Sequence, residues 1–275
     1  FFFRKIPTTI ILQNLLPFDN KNISKYRLIK KVKLYLQKKL FQNSILNAEN
    51  IIFLSNSSKK IILKSLNIKK INNYKIIPHG IDKKIIKKKI IKKNYLHKDK
   101  KFRILYVSKI EFYKNQIDLL KVANLLRKKN YNFELTFVGP AYEPALKQFL
   151  KDKKKYDPRS KFIKYLGNQS FKNTLKIYND HDLHVVPSTC ETFGQIVLEA
   201  MACGIPNACS DIEVFKEITN NNAKFFRSNN IDHMVKAIEQ LMFSNKLRYK
   251  LAINGINNLK KKYCWKKTSS ETFKL

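Results

Sequence analysis

The sequence predicts an α/β protein built on parallel, doubly wound sheet. Two observations predict it. From residue 102 onward, short apolar runs alternate with segments of helical period, and the runs are apolar at successive positions instead of every second one. Strands with one wet face alternate in polarity, whereas strands covered by helices on both faces read as continuous apolar runs. Strand–helix alternation in turn demands crossover connections, and hence parallel pairing.

The elements follow in order. "TTIILQNLLPF" (8–18) is β-rich and ends at a proline, a strand and its loop. "SKYRLIKKVKLYLQKKLFQNSIL" (24–46) places Leu28, Ile29, Val32, Leu36 and Leu40 near helical spacing. "NIIFLS" (50–55) is a strand, and the serines and lysines after it open a helix to Leu66. "YKIIPHGID" (74–82) is a strand closed by a proline turn, and "KKIIKKKIIKKNYLHKDKK" (83–101) reads as a linker. Strands are then expected at 102–108, 133–139, 161–167, 183–188, 205–210 and 224–226. Helices are expected at 115–129, 144–152, 171–180, 194–204, 213–218, 231–243 and 245–262.

Composition bounds the function. Lys plus Arg number 56 against 20 Asp plus Glu, a net charge of +36, and 44% of residues are hydrophobic. That content buries a core, and the charge attracts anions: nucleic acid, anionic lipid or sugar phosphates. The lysines are spread along the chain among abundant Ile and Asn, the pattern of codon bias on solvated faces. A nucleic-acid interface would be a localised stripe with readable motifs, so no nucleic-acid partner is expected, and a basic nucleic-acid-binding protein is kept only as the non-enzyme alternative. Segment 24–46 is both basic and apolar; it fits equally a core-facing helix with outer lysines and a helix on an anionic membrane surface. Cys190, Cys203, Cys209 and Cys264 form no CxxC pair, which favours core packing in a reduced, cytosolic setting. No apolar run reaches the ~18 residues that span a bilayer. The opening "FFFRKIPTTIILQNLLPF" has no initiator Met or cleavage site and reads as a chain entered in mid-fold.

In such sheets ligands bind beyond the carboxyl ends of the strands, so the loops after 108, 139, 167 and 188 are the ones to inspect. The first, "SKIEFYKNQ", carries Lys109 and Lys114 on either side of a turn into a helix, two cations beside a helix N-terminus that suit a diphosphate. The last is followed by a helix within "CETFGQIVLEAMACGIP" (190–206), a lysine-free stretch holding Glu191 and Glu199. Glu199 lies about 7.5 Å along the helix axis from Gly194. Two acids so spaced can grip different hydroxyl-bearing parts of one elongated ligand, while the amides of Phe193, Gly194 and Gln195 face an anion. Leu198, Ala200, Met201 and Ala202 leave Glu199 little polar company, so a partner or ligand is expected for it. Asp180 and Asp182 precede their strand, at the end opposite the ligand face, and are read as linking helix to strand and not as metal ligands. His79 is a general base or a structural turn residue. No Ser-His-Asp order, Walker loop or zinc spacing occurs.

Together these stretches resemble the family-4 retaining glycosyltransferases. "PSTCETFGQIVLEAMACGIP" (187–206) is similar to that family's two-glutamate signature. "QNLLPF" (13–18), "IIFLSNSSKKIIL" (51–63), "KIIPHGID" (75–82), "LYVSKIEFYKNQIDLLKVA" (105–123), "FVGP" (137–140), "YLG" (165–167), "DLHVVPS" (182–188) and "KKYCWKKTS" (261–269) match in the same order. The resemblance implies two Rossmann-like domains facing a cleft: 1–88 as the later part of an incomplete acceptor-side domain, 89–101 as linker, 102–262 as the donor domain, and 263–275 as the start of a crossover helix. It implies that Lys109 and Lys114 hold the donor diphosphate, with Lys109, Lys114 and Glu191 the catalytic set. Glu191 would contact the transferred sugar, Glu199 the ribose, Thr192 to Gln195 the sugar and phosphates, and Tyr165 to Gly167 the base. Gln13 stands where many members carry His and His79 where they carry Asn; with Asn14 these lie toward the acceptor. The implied activity is hexosyl transfer from a nucleotide sugar, with retention and without a metal or other cofactor, to a glycan or lipid-linked acceptor in bacterial surface polysaccharide synthesis, at the inner face of the membrane. A sugar-nucleotide 2-epimerase of the same architecture is the alternative enzyme.

Overall fold

The computed structural model describes residues 8–71, 73–87 and 101–274. The expected linker at 89–101 lies outside them except for Lys101, as do residues 1–7. The first domain runs β1 (Thr9–Leu12), a 3-10 turn (Leu16–Phe18), α1 (Asn20–Ile23), α2 (Leu28–Asn47), β2 (Asn50–Phe53), α3 (Asn56–Ser65) and β3 (Tyr74–Ile76). Its strands form a parallel sheet in the order β1-β2-β3. Local chemistry sets the boundaries. The Asp19 carboxylate accepts from Asn22 N and starts α1, and Ser55 Oγ accepts from Ser58 N and starts α3. Strand β3 covers Tyr74–Ile76 and is followed by the expected turn at Pro78, which supplies no N–H for a ladder.

Helix α2 departs from expectation in its orientation. Leu28, Ile29, Val32, Leu36 and Leu40 are 75%, 86%, 50%, 56% and 67% exposed. The buried face carries Leu34 and Ile45, with Phe41 stacked on Phe18 at 5.8 Å between ring centres. Both sets have helical spacing, and periodicity alone does not say which one meets the sheet. The expected stripe is thus exposed among the described residues, and the helix faces the core through the other set. The helix also begins at Leu28, not at 24, because Tyr26 is drawn into the contact between the domains.

The second domain runs β4 (Phe102–Val107), α4 (Gln116–Lys128), β5 (Phe133–Val138), α5 (Glu143–Tyr156), β6 (Ile163–Tyr165), α6 (Phe171–Asn179), β7 (Leu183–Val186), α7 (Gln195–Ala202), β8 (Asn207–Ser210), α8 (Glu213–Thr219), β9 (Lys224–Phe226), α9 (Ile231–Phe243), α10 (Asn245–Lys262) and α11 (Trp265–Thr272). Its six parallel strands lie in the order β6-β5-β4-β7-β8-β9. The winding reverses between β4 and β7, and that switch point opens a crevice at the carboxyl ends of both strands. Every residue of β5, β7 and β8 is buried, the physical basis of the continuous apolar runs. Cys190, Cys203 and Cys209 are buried free thiols, and burial pushes Cys203 up to about 12.

Helix α11 returns to the first domain. Thr268 Oγ1 donates to Pro78 O at 2.8 Å, and Gly80 packs so close that a Cβ there would sit 2.2 Å from Trp265 N. On the far side of the interface, the Glu217 carboxylate of α8 accepts from Asn56 N at 2.7 Å, Ser57 N at 2.9 Å and Ser57 Oγ at 2.6 Å. An acid from one domain thus caps the N-terminus of α3 in the other, where the helix dipole favours negative charge.

Candidate active site

The crevice at the switch point becomes a site because two loops are stapled together above it. After β4 the chain makes a 3-10 turn (Phe112–Lys114) started by Glu111, whose carboxylate accepts from Phe112 N. Tyr106, fully buried on β4, donates from its Oη to Lys114 O at 2.8 Å and lies 2.9 Å from Ser188 Oγ at the end of β7. Thr189 N donates to Tyr113 O at 2.8 Å. The turn after β4 and the loop after β7 are therefore held as one unit.

Within that unit Lys114 Nζ meets Glu191 Oε1 at 2.6 Å, with the two side chains only 13% and 10% exposed. The loop then enters α7 through Gly194, at φ +87°, where a Cβ would also fall 2.8 Å from Phe215 Cε1. Glycine is required on both counts. The start of α7, whose first amides have no carbonyl partner within the helix, lines the cleft together with Lys114 and Glu191.

The cleft measures about 280 Å³. Its walls bring together nine of the residues expected from sequence: Gln13, Asn14, His79, Lys114, Glu191, Thr192, Phe193, Gly194 and Gln195. The volume is just under the roughly 300 Å³ at which typical small-molecule pockets begin. Thr192 has a further duty. Its Oγ1 accepts from Leu15 N and donates to Gln13 O, both at 3.0 Å, and its carbonyl accepts from Ser55 Oγ at 3.0 Å. The hydroxyl is thus engaged in joining the domains. His79 stands edge-on to Phe193 at 5.6 Å and beside Trp265 at 5.6 Å, and burial lowers its pKa, so the imidazole is neutral at pH 7.

Four expected residues are not on the cleft wall. Lys109, half-exposed, lies 3.6 Å from the buried Glu111 carboxylate. Tyr165 Oη donates to Gly139 O at 3.0 Å and Gly139 N donates to Gly167 O at 2.8 Å, which ties the loop after β6 to the end of β5. Glu199 lies one helical turn into α7, where Tyr178 Oη donates to its Oε2 at 3.4 Å. Burial raises its pKa to about 7, and among the described residues no cation pairs with it. The partner expected for Glu199 is a single phenol.

Asp180 and Asp182 sit at the opposite end of the sheet. Asp182 accepts from Arg103 N at 3.0 Å, and the Asp180 carbonyl accepts from the Arg103 side chain at 3.2 Å. Sequence reasoning missed Tyr113 and Cys190 on the cleft wall. Tyr113 could have been found as one of two aromatics, with Phe112, between Lys109 and Lys114. Cys190 packs into the apolar cluster of the first domain, which only tertiary structure reveals.

Two Rossmann-like domains closed on a polar cleft, with a helix N-terminus at its edge, define the GT-B architecture of sugar-transferring enzymes. The chain belongs to the family of glycosyl transferases group 1, whose pattern matches residues 87–258. It is 30% identical over 165 residues to the N,N'-diacetylbacillosaminyl-diphospho-undecaprenol alpha-1,3-N-acetylgalactosaminyltransferase of Campylobacter jejuni, covering 58% of this chain and 40% of that one. To an uncharacterized glycosyltransferase of Methanocaldococcus jannaschii it is 25% identical over 178 residues, 64% of this chain and 44% of the relative. The chain therefore spans less than half the length of these relatives. Among solved structures, Anabaena HepE in complex with UDP and glucose superposes with a TM-score of 0.76 at 16% identity, over 98% of this chain and 70% of that chain.

Proposed function

We propose that this chain carries the donor-binding half, and part of the acceptor half, of a retaining glycosyltransferase that moves a hexose from a nucleotide sugar to a glycan or lipid-linked acceptor. The observation that carries the reading is the Lys114–Glu191 pair set beside the N-terminus of α7 in the interdomain cleft. Without donor, the ammonium rests on the carboxylate. A diphosphate brings more charge than one carboxylate and is also met by the α7 amides, so it takes Lys114 and frees Glu191 for a sugar hydroxyl. Charge on the leaving diphosphate is then offset by lysine and amides instead of a metal ion. Retention follows when the acceptor hydroxyl attacks from the face the diphosphate leaves, a task mainly of positioning. Glu199 is assigned to the ribose hydroxyls, and Tyr165 to Gly167 to the base.

The relatives support this reading: HepE was solved with UDP and glucose, and the Campylobacter enzyme is named for transfer of N-acetylgalactosamine. The exposed apolar stripe of α2, beside Arg27, Lys30, Lys31 and Lys33 and with no acid between residues 27 and 47, supports peripheral attachment to an anionic membrane on the cytoplasmic side. No helix among the described residues is long and apolar enough to cross a bilayer.

A panel of UDP-, GDP- and ADP-sugars screened by thermal unfolding tests the proposal. At 100 times its dissociation constant the true donor stabilises the fold by about 2.7 kcal/mol. A panel in which no nucleotide sugar raises the unfolding temperature would contradict it. A sugar nucleotide converted to its epimer without any acceptor would instead identify a 2-epimerase.

A further inference from the structure

The buried Glu111 is not used by the reading above, yet it touches both phosphate-seeking lysines and the opposite domain. It is 5% exposed and is the only acid on the loop between Ser108 and Asn115. Its carbonyl accepts from Lys114 N at 3.0 Å, and its Oε2 lies 3.6 Å from Lys109 Nζ. Gln116, also buried, clamps the same corner: its Oε1 accepts from Glu111 N at 3.4 Å and its Nε2 donates to Lys109 O at 2.8 Å. The other oxygen, Oε1, accepts from Tyr26 Oη at 2.9 Å as well as from Phe112 N at 3.2 Å.

Tyr26 belongs to the other domain, on the segment between α1 and α2. It is 4% exposed and is seated between Phe112 at 5.4 Å and Tyr142 at 5.9 Å. Burial, and next the Glu111 charge, push its phenol far above the ordinary value, so it remains a proton donor at any working pH. A carboxylate beside a diphosphate site repels the ligand and competes for its lysine. With Tyr26 docked, one carboxylate oxygen is occupied by the phenol. With Tyr26 withdrawn, Oε1 keeps only the Phe112 amide, and the carboxylate holds Lys109 more strongly.

Resting on the proposed function, we infer that Glu111 is a positioning residue for Lys109, and that Tyr26 makes this positioning depend on the two domains being docked. Docking thereby loosens the hold of Glu111 on Lys109, which lies 3.6 Å from Oε2 and off the cleft wall without donor, and leaves it freer to reach the donor diphosphate. Neither Glu111 nor Tyr26 contacts the substrate.

Titration calorimetry with UDP, GDP and ADP, each used separately, tests the inference in a mutant cycle. Tyr26→Phe removes one hydroxyl and keeps the ring in its aromatic seat. It is expected to weaken the nucleotide that wild type binds by about fivefold, the size of one hydrogen bond. The same change made in Lys109→Ala, or in Glu111→Gln, is expected to have no further effect, because Tyr26 acts through both. A merely structural role would give equal losses in all three backgrounds, and that result, or wild-type affinity in Tyr26→Phe, would overturn the inference. Wild-type protein that binds none of the three nucleotides would overturn the glycosyltransferase site itself, and this inference with it; wild type alone tells the two failures apart.

Discussion

Lys114→Met is expected to lower sugar transfer by at least about a hundredfold, in line with the loss of one preorganised charge-stabilising donor. It is also expected to destabilise the fold, because Glu191, only 10% exposed, loses its partner at 2.6 Å. Breaking a fully buried pair costs about 3–5 kcal/mol; the residual exposure here reduces that to roughly 2 kcal/mol. Adding Glu191→Gln removes the stranded charge. The double variant therefore regains most of the stability while its transfer stays at the single-variant level or lower. Urea unfolding and turnover measured on wild type, Lys114→Met, Glu191→Gln and the double variant separate the two roles. Transfer that survives Lys114→Met would remove this pair from the active site.

Glu199→Gln is expected to stabilise the ligand-free protein at pH 8 while weakening nucleotide binding. The Glu199 carboxyl titrates at about 7 in the folded protein against an ordinary 4.5, because burial disfavours its charge. Between those two values the folded state holds a proton that the unfolded state releases, so stability falls as pH rises. This contribution is complete below pH 4.5 and is lost as pH rises through 7. Gln at this position removes the loss, a gain on the order of 2 kcal/mol at pH 8 after allowing for partial exposure. Nucleotide binding moves the other way. A ribose hydroxyl donates best to the ionised carboxylate, so wild-type affinity rises as pH rises through 7, and the variant lacks that rise. Urea midpoints and nucleotide affinity from pH 5 to pH 8 check both directions. A wild-type stability that is flat with pH would contradict the buried state of Glu199.

Much of this arrangement was legible in sequence because it is local. The strands of the second domain announce themselves as apolar runs, whereas the switch point between β4 and β7 is set by strand pairing that their order along the chain does not give. Lys114, Glu191 and Gly194 lie at strand ends where such folds place ligands, and the structure brings them to one cleft. What sequence did not show is set by contacts distant along the chain. Both faces of α2 carry apolar residues at helical spacing, and packing of Leu34, Phe41 and Ile45 chose between them. Thr192 was read as a ligand contact, yet its hydroxyl joins residues 13 and 15, a pairing no local pattern encodes. Tyr26 and Glu111 are 85 positions apart and carry no motif that links them. Glu199 was singled out correctly as an acid among apolar neighbours, but its phenol partner on α6 appears only when α6 and α7 are set side by side.

A structure determined with the nucleoside diphosphate that binds most tightly tests the central claim most directly. The diphosphate is predicted between Lys114 Nζ and the amides at the start of α7, with the Lys114–Glu191 contact opened and Glu191 turned to the sugar position. A nucleotide bound elsewhere, with Lys114 and Glu191 still paired at 2.6 Å, would contradict it.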